Sequence, residues 1–194
     1  ALPASIGGSD GTNLQMAIIR EHLATRGLGL HNDLQNESSI VGNHPFIKMM
    51  ISKGTDAQKA EFIEASLTGK RRVAFGLTEP NHGSDATHLE TTAVRDGDEW
   101  VMNGEKWFSS SASVADIAVV MAKTDPDAPR HEQYSTFIVE LPNPGYEIVR
   151  NIETMQPHTE LGLKLGGSHS EIKIENLRVP RENILGGQGQ GFNM

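Results

Sequence analysis

Near residue 71 the hydrophobic pattern changes period. The first third of the chain repeats at helical spacing and the remainder at strand spacing, which confines it to folds that segregate helices from sheet. In the first part, Leu14, Ala17, Ile18 and Leu23 recur every three to four residues behind Ser9 or Asp10 as candidate caps, with Gly27 and Gly29 as stops. A second helical stretch is expected over residues 31–41. Pro45 suits the first turn of a short helix reaching Ile51 and ended by Gly54. Thr55-Asp56-Ala57-Gln58 matches a capping box, in which the Thr hydroxyl and the Gln side chain each satisfy an orphan backbone donor. It opens a helix to about Leu67, with Gly69 as its stop.

From Arg72 onward, short β-rich runs alternate with turn residues. The expected strands are Val73 to Leu77, Glu90 to Arg95, Glu99 to Met102, Trp107 to Ser110, Ile117 to Ala122, Thr136 to Glu140, Tyr146 to Val149 and Glu171 to Ile174. Asp96-Gly97-Asp98 and Asn103-Gly104 read as hairpin turns, because glycine tolerates the positive backbone angles that tight hairpins demand. Lys123 to Gln133, with two prolines, reads as an exposed loop. The fold class is therefore α+β: a partial N-terminal helical bundle over residues 1–70, then an antiparallel β-barrel-like or sandwich domain over 71–185. Residues 186–194 begin a link onward. A hydrophobic fraction of 37% is enough for a packed core.

The absence of cysteine excludes disulfides, cysteine-ligated zinc or iron–sulfur centres and thiol catalysis, so redox chemistry must come from a bound cofactor. A net charge of −8 argues against nucleic-acid binding, and Lys70-Arg71-Arg72 reads as a solvated domain junction or an aid to a ligand phosphate. No apolar run approaches the roughly 20 residues of a membrane-spanning helix, so no membrane span is expected. His82 and His88 flank an acidic loop but lack metal-ligand spacing. They read as solvated residues, and no metal site is expected.

Two stretches carry candidate chemistry. In Phe75-Gly76-Leu77-Thr78-Glu79-Pro80-Asn81-His82-Gly83-Ser84-Asp85 a strand runs into a polar turn. Pro80 restricts the path there, Gly83 permits close backbone approach, and Thr78 and Ser84 present hydroxyls. Such a turn can cradle a planar heterocycle, or it is a surface turn in which Thr78 and Ser84 cap helices. In Asn103-Gly104-Glu105-Lys106-Trp107-Phe108-Ser109-Ser110-Ser111, strand alternation puts Trp107 with Ser109 on one face and Phe108 with Ser110 on the other. An aromatic and a hydroxyl on one face can hold a flavin ring, and either aromatic can equally be core.

Together these stretches resemble the acyl-CoA dehydrogenase family. Its middle domain carries a T-E-P strand end, a G-S-D turn, an I-N-G-x-K hairpin and an aromatic-x-Thr or aromatic-Ser-Ser strand. The matching residues here are Thr78-Glu79-Pro80, Gly83-Ser84-Asp85, Met102-Asn103-Gly104-Glu105-Lys106 and Phe108-Ser109-Ser110. Gly54 to Lys59, Asn176 to Leu185 and Gly189-Gln190-Gly191-Phe192 extend the resemblance over essentially the whole chain.

The resemblance implies FAD as cofactor, with Phe75, Leu77, Thr78, Gly83, Ser84, Phe108, Ser109 and Ser110 as cofactor contacts. Leu77 and Thr78 would meet the pyrimidine side of the flavin, and Ser84 the FAD pyrophosphate and the acyl-CoA. Phe108 would pack on the ring, with the Ser110 hydroxyl toward its reactive nitrogen. Two departures stand out: the aromatic is Phe108, preceded by Trp107, where the family often has Trp, and Ser110 stands where Thr is usual. The resemblance also implies α,β-dehydrogenation of acyl-CoA in fatty-acid β-oxidation, electron-transfer flavoprotein as acceptor and a homo-oligomer in the full-length form. The location it implies is cytoplasmic, or the mitochondrial matrix in a eukaryote. The family's catalytic Glu lies in a C-terminal helical domain. No residue here aligns with it, so none is assigned as catalytic and the chain is expected to be cut short before that segment. The alternatives are a noncatalytic β-barrel binding module and a flavin-binding scaffold member of the same family.

Overall fold

The computed structural model describes residues 2–27, 44–154 and 168–194. The helix expected over 31–41 lies outside them. Helix α1 spans Asn13–Thr25 and is capped by Thr12, whose hydroxyl accepts from Gln15 N while the Gln15 side chain accepts from Thr12 N. Ser9 and Asp10 are therefore not its cap. Helix α2, Pro45–Lys53, starts on its proline and ends at Gly54. Helix α3, Asp56–Leu67, carries the capping box of Thr55 and Gln58. The Gln58 amide also donates to the carbonyls of Glu182 and Ile184, at 2.9 and 3.2 Å, which ties the helix to the far end of the chain.

Among the described residues eight strands follow: β1 Val73–Gly76, β2 Thr92–Asp96, β3 Glu99–Ser110, β4 Ile117–Lys123, β5 Tyr134–Glu140, β6 Tyr146–Ile152, β7 His169–Pro180 and β8 Ile184–Leu185. They form one mostly antiparallel sheet in the order β6-β7-β3-β2-β4-β5-β8. Among the described residues the sheet does not close, and β6 and β8 stand at the two ends of this order. β1 lies off this path and pairs parallel with β4, and β2 meets the same strand at Lys123. β4 and β5 are buried on both faces, which is why Ile117 to Ala122 reads as an unbroken apolar run. Ile117, Val119 and Ile138 face Phe46, Met50 and Phe62 of the helices. Ala118, Val120, Phe137 and Val139 face inward with Trp100, Met102, Ile172 and Leu177.

Two expected turns have different fates. Asp96 pairs with Glu99 across Gly97-Asp98, a two-residue hairpin with Gly97 at φ 61°. Asn103-Gly104 is no turn. It lies inside β3, which runs unbroken through both segments expected as separate strands, and it marks a register shift against β7. Asn103-Gly is a hairpin signal because glycine accepts unusual angles, and a bulge needs the same freedom.

Candidate functional site

Lys106 sits on β3 at an inward position. None of its side chain is exposed, and only 3% of Glu79 is. Its ammonium lies 2.7 Å from Glu79 Oε1 and donates to the Leu77 carbonyl at 3.2 Å. Thr91 donates to the same carboxylate oxygen from its hydroxyl at 2.6 Å and its amide at 3.0 Å, while Glu90 N donates to the other at 2.5 Å. Burial pushes Lys106 down to about 8, against the opposing pull of Glu79. Burial alone raises Glu79, but the Lys106 charge and the hydrogen bonds from Lys106, Thr91 and Glu90 prevail and hold it below its ordinary value.

This pair fixes the turn that follows β1. Glu79 and His82 exchange two backbone bonds of 3.2 Å around Pro80-Asn81, and Trp107 N donates to the Thr78 carbonyl at 2.7 Å. The carbonyls of Leu77 and Thr78 are thus taken by β3, so the turn offers a ligand its donors and the Thr78 hydroxyl. A depressed Glu79 value contributes stability that is present above about pH 4.5 and lost as pH falls through the folded value. Urea unfolding between neutral and acid pH is expected to show this loss, with a shallower decline in Glu79→Gln. Equal slopes in the two proteins would contradict it.

Between Lys106 and Ser109 the register against β7 shifts again, so Trp107 and Phe108 together oppose Glu171. Phe108 takes φ 55° in this bulge. Strict alternation is broken, and the two aromatic rings stack on each other at 5.4 Å with planes 25° apart. The expected pairing of Trp107 with Ser109 on one face therefore fails. Ser109 is fully buried, whereas Phe108 is 46% exposed and Leu77 43%.

The predicted residues separate into groups. Thr78, Phe108 and Ser110 are joined by a chain of contacts: Thr78 to Trp107, Trp107 to Phe108, Phe108 to His169, and His169 to Ser110, while Leu77 is held through its carbonyl by Lys106. His169 is the residue that sequence reasoning missed. Ser109, fully buried and paired with Ser170 in the β3–β7 ladder, lies beneath this surface. Phe75 packs beside the cluster of Phe46, Phe62 and Val119.

Gly83 and Ser84 lie on an exposed loop, and a Cβ at Gly83 would meet nothing within 4 Å. Neither Thr78 nor Ser84 caps a helix. The cap of the short 3-10 turn Ala86–His88 is Asp85. Asp85 also holds His88 at 2.7 Å and Arg130 at 2.8 Å, pinning this loop to the β4–β5 connection. Hydrogen bonds from Thr87 and His88 hold the Asp85 carboxyl well below the usual carboxylate range. His82 pairs with Glu90 at 3.3 Å, and among the described residues no group of three or more His, Asp or Glu is placed to hold a metal ion.

Behind the turn lies a groove of about 600 Å³ lined by Glu90, Glu105, Glu171 and Glu175, with Lys173 as its cation. Its charge disfavours a pyrophosphate.

Residues 74–176, more than half of the chain, match the family described as acyl-CoA dehydrogenase, middle domain. The chain belongs to the acyl-CoA dehydrogenase family. It is 40% identical over 154 residues to a probable acyl-CoA dehydrogenase of Mycobacterium tuberculosis, covering 78% of this chain and 36% of that protein. It is 35% identical over 192 residues to a subunit of the caffeyl-CoA reductase-Etf complex of Acetobacterium woodii, covering 99% of this chain and 47% of the relative. The solved acyl-CoA dehydrogenase of Geobacillus kaustophilus superposes with a TM-score of 0.74 at 34% identity, over 99% of this chain and 47% of that one. The chain thus spans less than half the length of each of these family members. Among the described residues no helix is long and apolar enough to cross a membrane.

Proposed function

We propose that this chain is the flavin-binding part of an FAD-dependent acyl-CoA dehydrogenase that desaturates acyl-CoA thioesters in fatty-acid β-oxidation. The observation that carries the reading is an outward-facing Phe108, held on a bulge beside a turn locked by Lys106 and Glu79. An exposed ring, an exposed Leu77 and the hydroxyls of Thr78 and Ser110 make one apolar face with polar groups at its margin, which suits a flavin. FAD, when bound, supplies the two-electron acceptor. The Thr78 and Ser110 hydroxyls would hold the ring as fixed donors, and the buried pair of Lys106 and Glu79 keeps the turn from yielding. Ser84, on its exposed loop, is assigned to the FAD pyrophosphate and the acyl-CoA.

We assign no catalytic base within the chain. Glu79 has both oxygens engaged and is held in its ionised form, so it is a structural carboxylate. The base is supplied by a part of the protein outside these residues, in keeping with the share of each relative that the chain spans. The division into a helical portion to residue 70 and a flavin portion over 71–185 belongs to the same proposal. So do a homo-oligomeric full-length protein and electron-transfer flavoprotein as acceptor. The last is supported by the Etf complex of the Acetobacterium woodii relative.

FAD titration followed by fluorescence tests the site. The chain is expected to bind FAD, and Thr78→Ala and Ser110→Ala each to weaken binding by about 1–3 kcal/mol, as for losing one buried hydrogen-bond partner. Unchanged affinity in both variants rejects the assigned contacts, and no binding at all rejects the flavin reading. Anaerobic mixing of the FAD-loaded chain with acyl-CoAs of several lengths is expected to leave the flavin oxidised. Rapid bleaching would place a base within these residues.

A further inference from the structure

Ser110 and His169 are direct partners across the β3–β7 ladder, and Ser110 Oγ lies 2.9 Å from His169 Nδ1. The same imidazole sets its edge toward Phe108, with ring centroids 6.4 Å apart and planes at 66°. One side chain therefore touches both the aromatic and the hydroxyl of the proposed flavin face. Its backbone is held from both sides, by Ser110 on β3 and by Ile152 on β6. The neighbouring residues are tied as well: Ser111 N donates to the Ser168 carbonyl, and the hydroxyls of Ser113 and Ser168 meet, each at 2.9 Å.

Such rigidity matters because Ser110 is exposed and unbranched. A serine side chain has three staggered rotamers and a rotating proton, whereas a threonine restricts χ1 through its methyl group. His169 supplies from across the ladder the restraint that branching would otherwise give. The direction of the bond matters too. If Nδ1 accepts, the hydroxyl commits its one proton to the ring and turns only lone pairs outward. If Nδ1 donates, the hydroxyl accepts and keeps its proton for a ligand. Among the described residues no second hydrogen bond to the imidazole is recorded, so the ring can carry its proton on Nδ1.

We propose that His169 is the positioning residue for Ser110, fixing its rotamer and donating from Nδ1, so that the Ser110 proton points to an acceptor atom of a flavin lying on Phe108. This inference rests on the flavin reading above.

The test compares the full chain loaded with FAD as the unmodified protein, Ser110→Ala, His169→Phe, His169→Asn and the Ser110→Ala/His169→Phe double variant. The readouts are the visible absorption spectrum, the flavin midpoint potential and the FAD dissociation constant. His169→Phe keeps a ring against Phe108 and removes the nitrogen, while His169→Asn returns an N–H donor near the position of Nδ1. His169→Phe is expected to shift the absorption band and lower the potential in the same sense as Ser110→Ala, and to weaken FAD about three- to tenfold. The double variant is expected to show no shift beyond that of Ser110→Ala, and His169→Asn to restore the unmodified spectrum and potential. An unshifted spectrum and potential in FAD-loaded His169→Phe would overturn the proposal. So would independent, additive shifts in the double variant, or an Asn variant that behaves like the Phe variant. Should His169→Phe fail to fold by circular dichroism, His169→Leu carries the same comparison. If the unmodified chain takes up no FAD, the flavin reading falls and this inference with it. That outcome is distinct from a flavin that binds and ignores His169.

Discussion

Lys106→Met is expected to destabilise the protein by about 3–5 kcal/mol, read as a lower urea midpoint, because it leaves a buried carboxylate without its counterion. Glu79 is only 3% exposed, so water does not replace the lost ammonium, and Thr91 and Glu90 supply donors but no charge. Burial lowers Lys106 to about 8 even with a carboxylate 2.7 Å away, so the ammonium itself is costly to bury. The double variant Lys106→Met/Glu79→Gln, which removes the uncompensated charge and keeps an amide oxygen as acceptor for Thr91, is expected to recover part of the lost stability. It should not recover FAD affinity, since the Leu77 carbonyl has lost its donor and the turn its anchor. A single variant within 1 kcal/mol of the unmodified protein would mean that the pair is not buried in solution.

Gly104→Ala is the second large effect, expected at about 2–4 kcal/mol from overpacking combined with an unfavourable backbone angle. Gly104 has φ 154°, and a Cβ there would lie 2.4 Å from Thr91 Oγ1 and 2.6 Å from Thr91 Cα. The second contact is with backbone and cannot be relieved by rotating a side chain. Thr91 in turn holds Glu79, so the strain reaches the ligand turn, and FAD binding should weaken along with stability. Gly97→Ala is the control. It also has a positive φ, of 61°, but nothing lies within 4 Å of its Cβ position, leaving only the cost of the backbone angle, about 1–2 kcal/mol. If Gly104→Ala proves no worse than Gly97→Ala, the clash at Thr91 is relaxed in solution.

Local chemistry was readable where the interacting groups are near in sequence. The Thr55–Gln58 box closes within one helical turn, and the Gly97-Asp98 hairpin within four residues, so both follow from the residues themselves. The cap of α1 was misplaced because Ser9, Asp10 and Thr12 are all competent acceptors, and only Thr12 has a glutamine three residues on to complete the box. The Trp107–Phe108 bulge was illegible for another reason. Bulges that need a left-handed residue usually announce it with Gly or Asn, and here Phe108 adopts that angle because the flanking ladder dictates it. His169 escaped notice because its partner is 59 residues away, and which residues face each other across two strands depends on two register shifts that no local pattern encodes. Lys106 left only a faint signal: a lysine at an inward position of a half-buried strand needs an anion, but Glu105, Glu99 and Glu90 all stand nearer to it in sequence than Glu79, and only the fold selects the partner.

The shared edge of β4 also bears on the order in which the molecule is built. The β2–β3 hairpin closes through two residues and can form locally, whereas β1 reaches its place only by closing a long loop, since Arg72 and its partner Asp116 are 44 residues apart. β1 contributes four residues and lies off the main path of the sheet, with β4 as its ladder partner. The segment from Leu77 to Thr91 leaves β4 where β1 stops and returns to it as β2 begins, like a wedge between two tines. Lys106 pins that wedge from below. A molecule lying across Thr78 and Phe108 would fasten it from above, so ligand capture would stabilise the same segment that Lys106 holds.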